Sequence, residues 1–263
     1  MIVDAHAHLS ETPYGGAGKY LAVLRGSGID QGVVVPGGML DVRKMTDYIT
    51  GRAKVENPIP NNRYVRAACR TAGGKLHGMI CLDPHDGNAL ADLEAGLREG
   101  DRGLKLSPLS HEFSFASRAV ADLAACCGAY GVPVYSHVVY SPGASTARFV
   151  GLARQFPRTN FILGHMGFGP ADGEGLAAAA TMDNLFLETS TGSYLHLVEA
   201  LRRAGPGKLI FGSEFPLSHP AVEIQKILLL DLSDGERELI LGGNISALLH
   251  LAGPAKAPAR EER

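Results

Sequence analysis

The sequence predicts an α/β chain folded as a (β/α)8 barrel, and three observations carry that expectation. The chain has 263 residues, close to the roughly 250 of one such barrel. Short apolar, β-branched runs alternate with helical stretches along its whole length, and crossovers of that size join parallel strands. No GxGxxG follows the first strand, which removes the main support for an open dinucleotide-binding sheet.

In order, the strand readings are 2–6 (IVDAH), 31–35 (QGVVV), 76–82 (KLHGMIC), 102–106 (RGLKL), 133–137 (PVYSH), 160–165 (NFILGH), 184–188 (NLFLE) and 208–212 (KLIFG). Between them lie the helix candidates "AGKYLAVLRGSG", "NNRYVRAACRTAG", "NALADLEAGLREG", "ASRAVADLAACCGAYG", "STARFVGLARQF" and "SYLHLVEALRRAG". Several end in glycine, the residue that helix C-termini prefer. The segment 218–251 reads as two further helices that complete the outer ring, so a slightly distorted barrel with extra C-terminal helices is expected. A single domain over 1–251 follows, with the proline- and charge-rich 252–263 as a flexible tail. The spacing breaks once, where "PGGMLDVRKMTDYITGRAKVENPIP" is inserted after the second strand. A long connection leaving the C-terminal end of a barrel strand lies on the active-site face, so this insertion is either a substrate loop or decoration.

Composition narrows the function classes. The net charge is −2 and no Lys/Arg run is present, which argues against a nucleic-acid partner. Strand-like sequence begins at Ile2 without a basic, apolar leader, and no apolar run is long enough for a bilayer, so a cytoplasmic protein is expected. The four cysteines, 69, 81 and the adjacent 126–127, form no CxxC pair and read as buried thiols in a reducing compartment.

The chemistry-bearing residues gather at strand ends. His6 and His8 close the first strand, Lys105 the fourth, His137 the fifth, His165 the sixth, and Glu214 follows the eighth. Strand alternation places Asp4, His6 and His8 on one face, with Asp4 deeper and structural. Barrel enzymes carry their sites at this rim, and several imidazoles with an acid suit a catalytic divalent ion that keeps one position open for water. His111 and His219, just past the fourth and eighth strands, are within reach of the mouth, as is Lys105. Thr189, Ser190 and Thr191 offer hydroxyls after the seventh strand.

The ordered pattern "DAHAH … GLKLSP … YSH … LGHMG … GSEFP … ILGGNISALL" resembles the amidohydrolase superfamily, in particular the amidohydrolase-2 branch of TIM-barrel metal-dependent hydrolases. That branch includes lactonases and aminocarboxymuconate-semialdehyde-type decarboxylases. The resemblance implies His6, His8, His137 and Glu214 as metal ligands, and His165 and Glu214 as catalytic groups. It also implies one divalent ion, Zn2+ first and Mn2+ as the alternative, while the positions of Lys105, His111 and His219 at the barrel mouth make them the expected substrate contacts. One departure stands out: the family pattern usually has aspartate where this chain has Glu214. The leading reading is a metal-dependent hydrolase of an amide, lactone or related ester of a small polar molecule. The alternative is a non-oxidative decarboxylase of a conjugated acid, disfavoured because no arginine stands at a strand end. The oligomeric state is left open, a homo-oligomer included.

Overall fold

The structure, a computed structural model, describes residues 1–169 and 171–251. The tail expected over 252–263 lies outside the described residues. The chain alternates β1 (Val3–Leu9), α1 (Ala17–Gly26), β2 (Gln31–Pro36), α2 (Met45–Ile49), α3 (Asn62–Thr71), β3 (Leu76–Gly78) and β4 (Ile80–Cys81). It continues through α4 (Ala89–Arg98), β5 (Leu104–Leu106), α5 (Pro108–His111), α6 (Arg118–Tyr130), β6 (Val134–Ser136), α7 (Thr146–Gln155) and β7 (Phe161–Leu163). The last third holds α8 (Gly173–Thr181), β8 (Leu185–Glu188), α9 (Tyr194–Ala204), β9 (Leu209–Ile210), α10 (Pro220–Leu228), α11 (Asp234–Glu238) and α12 (Asn244–Leu249).

Every strand pairing is parallel, in the orders β1-β2-β3 and β4-β5-β6-β7-β8-β9. The two sets join into one ring. The strand expected over 76–82 is present but interrupted at Met79, which turns its amide to the Val34 carbonyl, so β3 pairs backward with β2 and β4 forward with β5. At the other seam, Ala5 N donates to Phe211 O, Glu214 N to His6 O and His8 N to Phe215 O. These bonds lay the chain after β9 alongside β1 and close the barrel, while placing His6, His8 and Glu214 shoulder to shoulder.

Two apolar layers follow from strand alternation. The inner one holds Val3, Ala5, Val33, Val35, Met79, Tyr135, Ile162 and Ile210, with Ile245, Leu248 and Leu249 of α12 plugging one end. The outer one takes the other strand faces, including Leu104, Leu106, Val134, Phe161 and Leu163, against the surrounding helices. One expectation is corrected here. Asp4, His6 and His8 do not share a face, because the β1–β2 register shifts between Asp4 and Ala7. A bulge of this kind inserts an extra residue and flips the alternation. Asp4 therefore points outward, where it accepts bonds from Tyr20 Oη (2.8 Å) and Ser213 N (2.8 Å), and fastens the seam. Its structural role agrees with the sequence reading.

Local signals set the helices. Ser117 caps α6 by accepting from Val120 N, and Gly131 ends it at φ 68°, the left-handed turn that glycine adopts cheaply. A capping box of Ser233 and Glu236 starts α11. The two C-terminal helices expected over 218–251 are α10 and one continuous helical run from Asp234 to Leu249, interrupted by a π-helical turn at Leu239–Gly243. The carbonyl of Ile240, within that turn, accepts from Phe211 N at the end of β9. No described helix is long and apolar enough to cross a membrane.

Candidate metal centre and its cavity

The inner face turns polar toward one end of the barrel. His6 lies at its centre, fully buried. Its Nε2 lies 3.0 Å from His8 Nε2 and 3.2 Å from Lys105 Nζ. Its Nδ1 meets Tyr135 Oη in a short hydrogen bond and lies 2.7 Å from Glu214 Oε2. The second Glu214 oxygen, Oε1, is 3.4 Å from His8 Nε2. Despite these neighbours, Glu214 Oε2 is buried with no hydrogen bond of acceptable geometry. Burial alone raises the Glu214 carboxyl, but the imidazoles of His6, His8 and His165 outweigh it and hold the group well below its usual range. An ionised, underbonded carboxylate beside two imidazole nitrogens is a donor set that suits a divalent cation. His6, His8 and Glu214 place one such atom each within 4.8 Å of one another, and so do His6, His165 and Glu188.

His165 stands at the end of β7 with φ 60°, and Glu214 has φ 58°. Thr191, across the rim, sits at 55°. Left-handed backbone is costly for residues with a Cβ and persists where the surroundings over-determine it. At each of these positions the chain turns away from its strand while the side chain stays at the rim. His165 Nδ1 faces the Ser190 carbonyl at 3.2 Å and Ser190 Oγ at 3.0 Å. A carbonyl only accepts, so Nδ1 carries the proton, and Nε2 is left free, 3.9 Å from Glu214 Oε2.

Sequence reasoning missed Glu188 and Tyr135. Glu188 is buried and accepts from Tyr135 Oη (2.8 Å), Ser190 N (2.6 Å), Ser190 Oγ (2.9 Å) and His165 N (3.2 Å). Burial pushes its carboxyl up, but His6, His165 and the Ser190 amide more than compensate and bring it down to about 2. Gly212 leaves it room, since a Cβ there would collide with Glu188 Oε1. Both signals were in the sequence: Glu188 ends its strand, and Tyr135 lies two residues before His137 on the same face.

The remaining expected residues are placed as follows. His137 lines the same cavity but belongs to neither close cluster, and its Nε2 accepts from Leu109 N at a long 3.4 Å. Desolvation, with the charges of Lys105 and His165, pushes its pKa well below the usual value, so the ring is neutral. Lys105 is buried inside the barrel, 3.9 Å above the Tyr135 ring, and is not part of the cavity wall. Burial lowers its pKa. His111 turns away from the wall and donates from Nε2 to Pro58 O (2.9 Å), tying the insertion to α5. His219 also lies off the wall, capping α10 by accepting from Ala221 N. The four cysteines are free, and burial pushes the thiols of Cys69 and Cys81 up to about 11 and about 12 and raises that of Cys127 as well, as for inert core groups.

A cavity of about 480 Å³ opens over this centre, with His8, His137, His165 and Glu214 at its polar end. Met39, Leu40, Val42, Met45 and Ile49 of the 36–60 insertion form much of the opposite wall. The insertion is therefore a cavity wall and not decoration.

Residues 3–251 match the amidohydrolase family in its second form. The chain belongs to the amidohydrolase-2 family. Solved structures with the same fold include 2,6-dihydroxybenzoate decarboxylase from Rhizobium, at TM-score 0.71 and 15% identity over 96% of this chain and 99% of that one. A protein from Pseudomonas putida described as a 2-pyrone-4,6-dicarboxylic acid hydrolase aligns at TM-score 0.67 and 20% identity, over 95% and 97%. A dihydroxybenzoic acid decarboxylase from Polaromonas sp. JS666, holding manganese and 2-nitroresorcinol, aligns at TM-score 0.70 and 14% identity, over 95% and 97%. Comparison with curated protein sequences finds no significant match. This amidohydrolase-2 member thus shares its barrel with both hydrolases and decarboxylases, and at these identities the likeness establishes the fold and not the reaction.

Proposed function

We propose that this amidohydrolase-2 protein is a metal-dependent hydrolase that opens an amide, lactone or related ester of a small molecule. The observation that carries the reading is the underbonded Glu214 carboxylate beside His6 and His8, with His165 Nε2 free 3.9 Å away, at the polar end of an otherwise apolar cavity. His6, His8 and Glu214 would hold one divalent ion, Zn2+ first and Mn2+ as the alternative. His137 would serve as a further donor, since its neutral ring need only give up a long bond to Leu109 N. When bound, such an ion supplies Lewis acidity and lowers the pKa of water from ~16 to ~7. Glu214 accepts the proton of the attacking water. His165, locked with Nδ1–H toward Ser190 O, receives that proton at Nε2 from Glu214 Oε2, 3.9 Å away, and delivers it to the leaving oxygen or nitrogen, which returns both side chains to their starting states. Glu188 fixes that geometry by receiving His165 N and both the amide and hydroxyl of Ser190.

The decarboxylase neighbours favour a second reading, a lyase acting on a conjugated acid. Against it, the described cavity wall has no arginine to hold a retained carboxylate, and Lys105, whose Nζ lies 3.2 Å from His6 Nε2, is buried outside that wall. Elemental analysis should find about one divalent ion per chain, and both His8→Ala and His137→Ala should lose it. Proton release from lactones in a pH-stat supports the hydrolase. Carbon dioxide release from aromatic acids without lactone turnover would replace it with the lyase.

A further inference from the structure

An ion pair on α10 touches the rim of the site from outside the barrel. Glu223, in the first turn of that helix, is buried. Its Oε2 accepts from Thr191 N at 3.0 Å and lies 2.6 Å from Lys226 Nζ, while its Oε1 accepts from Ser218 Oγ at 2.7 Å. Lys226 Nζ also donates to Gly192 O at 2.8 Å. Taking such a pair largely out of water is unfavourable unless its bonds secure something. What they secure is one peptide group. The bond between Ser190 and Thr191 is trans, so its carbonyl and its N–H point in opposite directions. The N–H goes to Glu223. The carbonyl faces His165 Nδ1 at 3.2 Å and is the acceptor that keeps the ring's proton there. Thr191 Oγ1 stands 3.2 Å from the same nitrogen. Thr191 itself has φ 55°, and Gly192 N closes back on Ser190 O at 2.7 Å. A γ-turn with positive φ at its centre is the rare, strained form. Turning the peptide over would take Thr191 out of the left-handed region and swing the carbonyl away from His165, so the observed orientation needs a restraint.

We infer that Glu223, paired with Lys226, is a positioning residue for His165. It holds the Ser190–Thr191 peptide so that the Ser190 carbonyl keeps the His165 proton on Nδ1 and leaves Nε2 open toward Glu214. The same carboxylate reaches the other turn of the site. Ser218, bound to its Oε1, directs its own N–H to Glu214 O at 3.4 Å. One oxygen of Glu223 thus restrains the turn that orients His165, and the other restrains the turn that carries Glu214. The consequence for proton transfer between those two groups rests on the hydrolase reading. The hold on the peptide does not.

The test is the tautomer of the His165 ring, read by long-range nitrogen–proton NMR on the full-length protein with isotope-labelled histidine. Zn2+, which is diamagnetic, is supplied throughout, and the signal is assigned by its loss in His165→Gln. In the unaltered protein the ring should stand as Nδ1–H. Glu223→Ala removes the acceptor of Thr191 N, and Glu223→Asp withdraws it by about 1.5 Å while keeping a charge beside Lys226. Both should raise the ratio of Nε2–H to Nδ1–H by about five- to tenfold, the weight of one hydrogen bond. Glu223→Gln keeps an oxygen for Thr191 N and an N–H for Ser218 Oγ, and should retain the unaltered spectrum. Should Glu223→Ala fail to fold, the aspartate and glutamine variants decide alone. A mixed ring in the unaltered protein or an unchanged ratio in Glu223→Asp overturns the inference. So does an equal change in Glu223→Gln, or a shift spread over the other histidine rings. Where a lactone is turned over, Glu223→Asp should lower kcat by about tenfold with KM and metal content held. Lactone turnover with an unchanged tautomer removes the positioning role and leaves the hydrolase. A shifted tautomer in a protein that turns over no lactone keeps the role and removes the hydrolase.

Discussion

At position 214 the carboxylate reaches His6 Nδ1 at 2.7 Å and His8 Nε2 at 3.4 Å, so the glutamate spans the distance that this barrel sets. Replacing it by aspartate, the residue the family pattern usually has, withdraws both oxygens by about 1.5 Å. Glu214→Asp should therefore lower bound metal and reduce kcat by about 100-fold, read by elemental analysis and by turnover at saturating substrate. Retention of full metal content and rate would show that the longer acid is incidental. His6, His8, His165 and Glu214 were legible as candidates because each follows an apolar strand-like run. Which of their atoms meet was not legible, since a bulge in β1 and left-handed turns at His165 and Glu214 aim the side chains. Glu188 shows the limit from the other side. A lone acid at the end of "NLFLE" looks like any strand terminus until Tyr135, Ser190 and His165 are seen to converge on it.

Among the elements, the 36–60 insertion shapes the cavity, and His111 is its tether through Pro58 O. His111→Ala should loosen that wall, raising KM several-fold with kcat and metal content little changed, measured by steady-state kinetics on the loaded protein. A second contact joins α3 to the approach of β5. Asp101 is buried and accepts from Arg66 Nε at 2.9 Å and Nη2 at 2.7 Å. Burial raises the Asp101 carboxyl and Arg66 opposes that rise. Arg66→Ala leaves a desolvated carboxylate and should cost about 2 kcal/mol at neutral pH, less than a fully buried pair because Arg66 is partly exposed. The sign with pH is fixed. The folded carboxyl of the variant titrates above its unfolded value, so the penalty applies while it is ionised and fades as pH falls through that raised value. Urea denaturation of both proteins at pH 7 and in mild acid should show the gap shrinking. The strand and helix order was readable from periodicity, but the break at Met79 and the π-helical turn were not, because both answer to partners far along the chain, Val34 and Phe211.

For the whole molecule, a cation held by β1 and by the chain after β9 would pin the seam where the ring closes. Metal removal by a chelator should lower Tm. An ion at about 100 times its Kd adds about 2.7 kcal/mol, equivalent to roughly 5–10 °C for a chain of this size, and re-addition should restore it. Differential scanning calorimetry with and without added Zn2+ or Mn2+ reads this directly, and an unchanged Tm would place the ion elsewhere or nowhere. The sequence by itself determined the barrel class, the strand order and the set of imidazoles and acids at the rim. It did so because apolar periodicity and strand-end position are local properties. Only the tertiary structure decided that Asp4 faces outward, that Lys105 is buried against His6 and outside the cavity wall, and that Glu188 organises His165. It also decided that the insertion supplies an apolar wall. Those outcomes depend on which distant backbone amides and carbonyls pair at the closing seam, and no local stretch of sequence contains that information.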